Sequence, residues 1–318
     1  MLWDWIYVGL GLVILLLAGD SLVKGAVNMS LRLGVPALIV SLTIVAFGTS
    51  APELLISIEA IADGVPGLAL GNVVGSNTAN VLLVLGIPAL LAAMHTSDCD
   101  TKASYLQMLA ATFLFIGLGF WGPLTWMSGI ILLLALAAML TYAALSARQH
   151  RKGDMGPADD EEEIEGADPD LGWGKIVFFL VLGLIGLPLG ANLLVDGAVE
   201  IARDFNIDET VIGLTLVAIG TSLPELATTV MAALRRQADV ALGNVIGSNM
   251  FNLLGIMGVA SLVGTIPVDR DVLQFDIWVM LGASLILIPF VFFKQDITRL
   301  AGILLTALYV AYIVLVLA

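Results

Sequence analysis

Apolar side chains fill this chain in long stretches separated by short polar breaks. The stretches run over 5–27, 36–61, 68–93, 104–120, 125–146, 174–200, 210–234, 240–264, 274–293 and 298–317. Each approaches the roughly 17–25 residues that a helix needs to cross a bilayer. The pattern therefore predicts an all-α integral membrane fold of ten transmembrane helices. The first lysine is Lys24, inside the first stretch, so no basic leader precedes it and the segment reads as a retained helix.

Ten crossings sort the basic residues unevenly. Arg203 and Arg270 share the side of the N-terminus, whereas Arg32, Lys102, Arg148, Arg151, Lys152, Lys175, Arg235, Arg236, Lys294 and Arg299 face the other side. Because Lys and Arg collect in cytoplasmic loops, this bias predicts a multi-pass cell-membrane protein with both termini outside. The break at 147–173 is then cytoplasmic. Trp3, Trp5, Trp121, Trp126 and Trp173 fall near span ends, where interfacial anchors belong.

An internal repeat organises the chain. Residues 48–86 align without a gap on 220–258 at a constant offset of 172, with 18 of 39 pairs identical. Gly48-Thr49-Ser50-Ala51-Pro52-Glu53-Leu54 returns as Gly220-Thr221-Ser222-Leu223-Pro224-Glu225-Leu226. Gly71-Asn72-Val73-Val74-Gly75-Ser76-Asn77 returns as Gly243-Asn244-Val245-Ile246-Gly247-Ser248-Asn249, and Asn80 matches Asn252. The predicted domains are a first five-helix repeat at 1–146, a linker at 147–173 and a second repeat at 174–318. An odd number of crossings per copy makes the copies insert with opposite orientation. Inverted repeats of this kind build secondary transporters, with the substrate site near the bilayer midplane.

Composition narrows the functional classes. Charged residues make up only 13% of the 318, and mean hydropathy is +1.02, against roughly a quarter charged in soluble domains. The net charge of −14 is largely local: nine of the 27 acids lie between Asp154 and Asp170. That linker reads as a solvated tether that attracts Ca²⁺ loosely at most. No basic stripe exists to hold nucleic acid. The lone Cys99 excludes an internal disulfide, and His95 and His150, both among polar residues, leave no histidine for chemistry within the membrane.

Glu53 and Glu225 sit deep in apolar stretches, where an ionised carboxylate costs on the order of 3 kcal/mol by insertion scales. A protonated Glu bonded to a neighbouring helix would satisfy the physics. Intramembrane acids, however, are functional by default, and these two recur with their whole setting. On a helix, Thr49 and Ser50 share the face of Glu53, as Thr221 and Ser222 share that of Glu225. Pro52 and Pro224 each remove an amide hydrogen and free the carbonyl four residues earlier, on Gly48 and Gly220; each also marks a kink. Asn72, Ser76 and Asn80 form one polar stripe, and Asn244, Ser248 and Asn252 repeat it. Asn72 and Asn244 serve helix packing or line the site, while Gly71, Gly75, Gly243 and Gly247 read as close-packing positions.

Two carboxylates among hydroxyl, amide and carbonyl oxygens suit Ca²⁺, which tolerates an irregular oxygen cage better than Mg²⁺ does. Without Cys or His, soft metals are disfavoured. Several Na⁺ would use the same oxygens, though not all of them alongside Ca²⁺, and mutually exclusive binding is the basis of exchange.

The doubled sequence Gly-Thr-Ser-x-Pro-Glu and Gly-Asn-Val-x-Gly-Ser-Asn resembles the paired α-repeats of the Ca²⁺/cation antiporter superfamily, in particular the prokaryotic sodium/calcium exchanger type. The resemblance spans essentially the whole chain. It implies antiport of Na⁺ against Ca²⁺ with no cofactor, no protein partner and no enzymatic activity. It also implies that Glu53 and Glu225 are the central Ca²⁺ ligands, shared with Na⁺. Thr49, Ser50, Thr221 and Ser222 would bind through side-chain or backbone oxygens. Ser76, Ser248 and Asn80 would line neighbouring Na⁺ positions, and carbonyls around Ala46 and Ala218 would add ligands. The first and sixth helices would form the sliding pair. Where several relatives carry Asp, this chain has Asn252, which gives no support for a K⁺ requirement or for a proton bound there.

Other functions are weaker readings. A Ca²⁺/H⁺ antiporter could use the same two Glu, but protons need no cage of hydroxyls and amides. A channel is disfavoured because the acids come from one inverted pair, not from a ring around a pore. An intramembrane Ser-His enzyme lacks its histidine. Asp20, Asp196 and Glu200 also lie in or near the membrane; Asp20 aligns with Asn192 and is expected to pair with Lys24 or to line an access path.

Overall fold

The computed structural model describes residues 2–153, 168, 170–205, 218–270 and 272–317. Helices carry its architecture. In chain order these are α1 (Leu2–Leu33), α2 (Ala37–Thr49), α3 (Ala51–Ala62), α4 (Pro66–Leu91), α5 (Lys102–Trp121), α6 (Trp126–Gly153), α7 (Trp173–Asp204), α8 (Ala218–Thr221), α9 (Leu223–Leu234), α10 (Ala238–Val263), α11 (Val272–Phe292) and α12 (Arg299–Leu317). Eight of them are long and apolar enough to cross a membrane, and the bent pair α2–α3 makes up to nine. The stretch expected at 210–234 is described only over α8 and α9, because 210–217 lie outside the described residues, as do 154–167 and 169 of the linker. One boundary differs from expectation. Helix α6 continues past residue 146 to Gly153, since the polar run Arg148–Lys152 ends the apolar stretch without ending the helix.

Polarity and burial run opposite to those of a soluble protein. Helices α4, α5 and α10 are the least apolar of the eight long spans, yet α4 and α10 are the most deeply buried of all. The more apolar α6 and α12, both at 2.1 or above, are only 17% buried. A bilayer explains the inversion: apolar side chains lose nothing by facing lipid, whereas polar groups must find protein partners. The helices bearing the Asn/Ser stripes therefore take the centre of the bundle.

Around that centre, α1 and α7 lie against each other along their lengths, and small residues set their spacing. A Cβ on Gly11 would meet the Leu194 nitrogen at 2.6 Å, one on Gly183 the Leu22 Cβ at 2.5 Å, and one on Gly190 the Leu15 nitrogen at 2.9 Å. Backbone-to-backbone approach of this kind is how membrane helices gain dispersion energy without a hydrophobic drive.

Two short antiparallel bridges tie the loops. Met94 pairs with Ile297 through N–O distances of 3.1 and 3.0 Å, and Leu124 pairs with Ile266 at 2.8 and 2.9 Å. Met94 and Ile266 are equivalent under the 172-residue offset. Met94 follows α4 and Leu124 follows α5, so the bridges sit at opposite ends of the bundle. Beside the first bridge, His95 Nδ1 lies 2.9 Å from Asp296 Oδ2, and the Ser97 amide donates to Asp296 Oδ1 at 3.1 Å. Partial burial alone would raise the Asp296 carboxyl, but the hydrogen bonds from His95 and Ser97 outweigh it and hold this group below its usual range.

Two outcomes are expected. Gly183→Val and Gly190→Val place a side chain against backbone that cannot yield, and should each cost roughly 1–3 kcal/mol; Gly9→Ala, where nothing lies within 4 Å, should be neutral. Thermal unfolding in detergent measures this. The Asp296 contribution, coming from a depressed carboxyl, is present above the unfolded-state pKa of about 3.9 and fades as pH falls through the lower folded value. Protection factors at 94–98, taken relative to the intrinsic exchange rate at each pH, should fall on acidification in the native protein, and Asp296→Asn should show that lower protection already at neutral pH.

Candidate cation site

Each repeat breaks a helix at the same place. Between α2 and α3 the chain bends by 41° at Ser50, whose φ and ψ of −85° and 6° leave the helical region. Ser222, between α8 and α9, has −87° and 3°. Pro52 and Pro224 occupy the first turns of α3 and α9. There a missing amide costs nothing, but the preceding carbonyls lose their helical donor. Glu53 and Glu225 then fall in the same first turns, where the unpaired amides and helix dipole favour a negative charge. The C-terminal ends of α2 and α8 point carbonyls toward the same breaks.

These breaks meet in the interior. Glu53 and Glu225 are each 1% exposed, close enough to repel one another across the site. The Ser50 hydroxyl donates to Glu225 Oε1 at 3.2 Å. Thr49 also donates to Asn244 Oδ1 at 3.3 Å and to the Ala46 carbonyl at 3.3 Å, a carbonyl that the Ser50 amide shares at 3.1 Å. Asn244 Nδ2 donates to the Glu225 carbonyl at 3.4 Å and to the Thr229 hydroxyl at 3.2 Å.

Among the described residues, buried polar atoms without a hydrogen-bond partner gather here: one oxygen each of Glu53 and Glu225, the hydroxyls of Ser222 and Ser248, the Asn80 carbonyl oxygen and both amide atoms of Asn252. An orphaned buried polar atom costs about 1–3 kcal/mol, so this concentration marks a place built for something to bind. The donor set is mainly oxygen, and no three His, Cys, Asp or Glu side chains converge among the described residues. Two carboxylates with neutral hydroxyls and amides match a hard cation.

Thr49, Ser50, Ser76, Asn80, Thr221, Ser222, Ser248 and Asn252 are all buried. Ala218 opens α8. Sequence reading missed Asn249. Its side chain accepts from Asn80 Nδ2 at 3.1 Å and donates to the Asn77 carbonyl at 3.4 Å, knotting α4 to α10 where the stripes cross; its recurrence as Asn77 was the available signal. The repeated glycines differ between copies. A Cβ on Gly247 would meet the Leu42 carbonyl at 2.4 Å and one on Gly243 the Leu38 carbonyl at 2.8 Å, so both seat α10 against α2. Gly71 and Gly75 meet nothing within 4 Å. The positions that match Leu38 and Leu42 under the 172-residue offset, 210 and 214, lie outside the described residues, so the expected close packing at Gly71 and Gly75 falls on a segment that is not described. Both stripe helices change geometry at the far edge of the site. A π-helical turn spans Phe251–Ile256 and includes Asn252, and the Val84 amide reaches back to the Ala79 carbonyl at 2.9 Å in the other copy. Such wide turns collect at functional sites.

Comparison with known proteins agrees with this chemistry. The family model described as sodium/calcium exchanger protein matches residues 3–145 and 175–318. The sodium/calcium exchanger MaX1 of Methanosarcina acetivorans is 36% identical over 345 aligned positions, covering 96% of each chain. The inner membrane protein YrbG of Escherichia coli is 33% identical over 276, covering 87% of this chain and 85% of its own. The solved sodium/calcium exchanger of Methanococcus jannaschii superposes with a TM-score of 0.82 at 32% identity, covering 98% of both chains.

Ca²⁺ should raise the unfolding temperature of the purified protein, by the equivalent of about 2.7 kcal/mol at a hundred times the dissociation constant. Glu53→Gln and Glu225→Gln should fold and lose that rise, since each removes half of the compensating charge. A calcium-dependent shift that survives in both variants would place binding elsewhere.

Proposed function

The chain belongs to the sodium/calcium exchanger protein family, and from that premise we propose that it exchanges Na⁺ for Ca²⁺ at a midplane site built on Glu53 and Glu225. It is a multi-pass membrane transporter. The observation that carries the finer reading is the pair of buried carboxylates, one from each repeat, each keeping an unpartnered oxygen beside unpartnered hydroxyl and amide groups.

Charge explains why such a carrier would exchange ions without leaking. An empty site with both acids ionised holds two negative charges in low dielectric, and each costs several kcal/mol to bury alone. Reorientation of the empty carrier is then slow. One Ca²⁺ cancels both charges, and two Na⁺ cancel them equally. A further Na⁺ on the Ser/Asn oxygens would make the cycle electrogenic. Thr49, Ser50, Thr221 and Ser222 would supply hydroxyl or backbone oxygens. Ser76, Asn80, Ser248 and Asn252 would line the flanking Na⁺ positions, with Ala46 and Ala218 contributing through carbonyls. Neither a cofactor nor a catalytic residue enters this cycle.

The membrane arrangement proposed is two inverted five-helix repeats, ten crossings in all, with both termini outside and the linker at 147–173 in the cytoplasm. The equivalent loop bridges at opposite ends of the bundle support the inversion. Trp121 and Trp126, exposed at helix ends, suit an interfacial belt.

Reconstitution tests this directly. Proteoliposomes loaded with Na⁺ should take up ⁴⁵Ca²⁺ only while an outward Na⁺ gradient exists, and Glu53→Gln should abolish uptake. Uptake indifferent to Na⁺ but driven by a pH gradient would overturn Na⁺ coupling in favour of the Ca²⁺/H⁺ alternative.

A further inference from the structure

The two repeats are alike in sequence but not in their contacts. Helix α1 of the first copy packs closely on α9 of the second, where a Cβ on Gly19 would meet the Ala227 carbonyl at 3.0 Å and Met231 at 3.3 Å. Just beyond, Arg235 Nε donates to Asp20 Oδ1 at 2.5 Å, with both side chains about a quarter to a third exposed. Asp20 therefore pairs across the repeats and not with Lys24, whose ammonium lies 4.7 Å from the centre of the Phe179 ring.

The 172-residue offset identifies the equivalent contact in the other copy. It extends into the long helices, where Gly25-Ala26-Val27 returns as Gly197-Ala198-Val199. Asp20 then corresponds to Asn192, Arg235 to Asp63, α1 to α7 and α9 to α3. Both Asn192 and Asp63 are exposed, and among the described residues no comparable packing joins α7 to α3. The α1–α9 end of the site is thus closed and the α7–α3 end open.

Alternating access between inverted repeats exchanges such contacts: α7 comes against α3 as α1 leaves α9. The charges do not exchange with them, because an amide and a carboxylate cannot form an ion pair. We propose that Asp20 and Arg235 form a one-sided latch, made only when the α9 end is closed, that biases the carrier toward that state and must open in every cycle. These two side chains are positioning residues. They touch no ion, and they act through the population of the two states, which sets the apparent affinity seen from each side. The inference rests on the alternating-access reading above.

The test uses the full chain with Cys99→Ser, and spin labels at Leu31→Cys on α1 and Arg236→Cys beyond α9, both at exposed positions. Asp20→Asn and Arg235→Gln should move the interlabel distances toward a longer population. In vesicles of defined orientation they should lower half-saturating Ca²⁺ on the α9 side and raise it on the other, each by roughly fivefold. Asn192→Asp with Asp63→Arg builds the missing latch at positions already exposed; by holding α7 against α3 it favours the state in which α1 has left α9, and should shift both readouts in the same direction as the latch-breaking variants even if those fold poorly. Unchanged distances and affinities in the latch-building variant, or in both latch-breaking ones, would overturn the proposal. Absence of Na⁺-driven exchange in the native protein would instead count against the transport reading, since the distance measurement needs no coupling ion.

Discussion

Two carboxylates buried at the centre of a membrane bundle are the constraint from which the rest follows. Neither Glu53 nor Glu225 has an ion-pair partner among the described residues, and the two repel each other. Hydrocarbon cannot hold them, so the protein must surround them with its own polar groups. This is why the helices richest in Asn, Ser and Gly, α4 and α10, are buried while the most apolar ones face outward. It is also why both copies break a helix at a Ser three residues before the acid. The break brings a helix N-terminus, with its unpaired amides, to each carboxylate, and brings the carbonyl end of the preceding helix to the same point.

Satisfaction of these groups is deliberately incomplete. A bundle with every hydroxyl and amide paired would be more stable and would bind nothing. Here Ser50 and Asn244 spend their hydrogen bonds on holding Glu225 and its backbone, while Ser222, Ser248, Asn80 and Asn252 keep atoms in reserve. The Asn77–Asn80–Asn249 knot fixes the crossing of α4 and α10, so the reserved atoms are held in place. Stability sacrificed at the centre is offset at the periphery, where α1 and α7 meet backbone to backbone through glycines and the loop bridges close each end.

Duplication makes the two halves chemically equivalent at the site and leaves them different elsewhere. The acids, their hydroxyls and the Ser/Asn stripes recur, whereas the charges on the long helices do not: Asp20 answers to Asn192, Lys24 to Asp196 and Arg32 to Asp204. A carrier needs the first property so that the same ions are held from either side. The second allows the two sides to differ in how readily they open.

The amino-acid sequence by itself determined the helical class, most of the spans, the duplication and which residue types gather at the candidate cation site. These depend on local quantities, namely how long an apolar stretch is and which side chains recur at a fixed offset. Its limits were equally physical. The apolar stretch that ends at 146 marks the span, and α6 itself runs on to Gly153 because a helix need not stop where the membrane does. Asp20 was expected to pair with its helical neighbour Lys24 or to line an access path, and the local pattern held no sign of Arg235. Only the tertiary structure decided that Ser50 would reach Glu225, 175 positions away, and Asp20 would reach Arg235, 215 positions away. Such contacts depend on where segments far apart in the chain come to lie against one another, which no local pattern of apolar length or residue recurrence encodes.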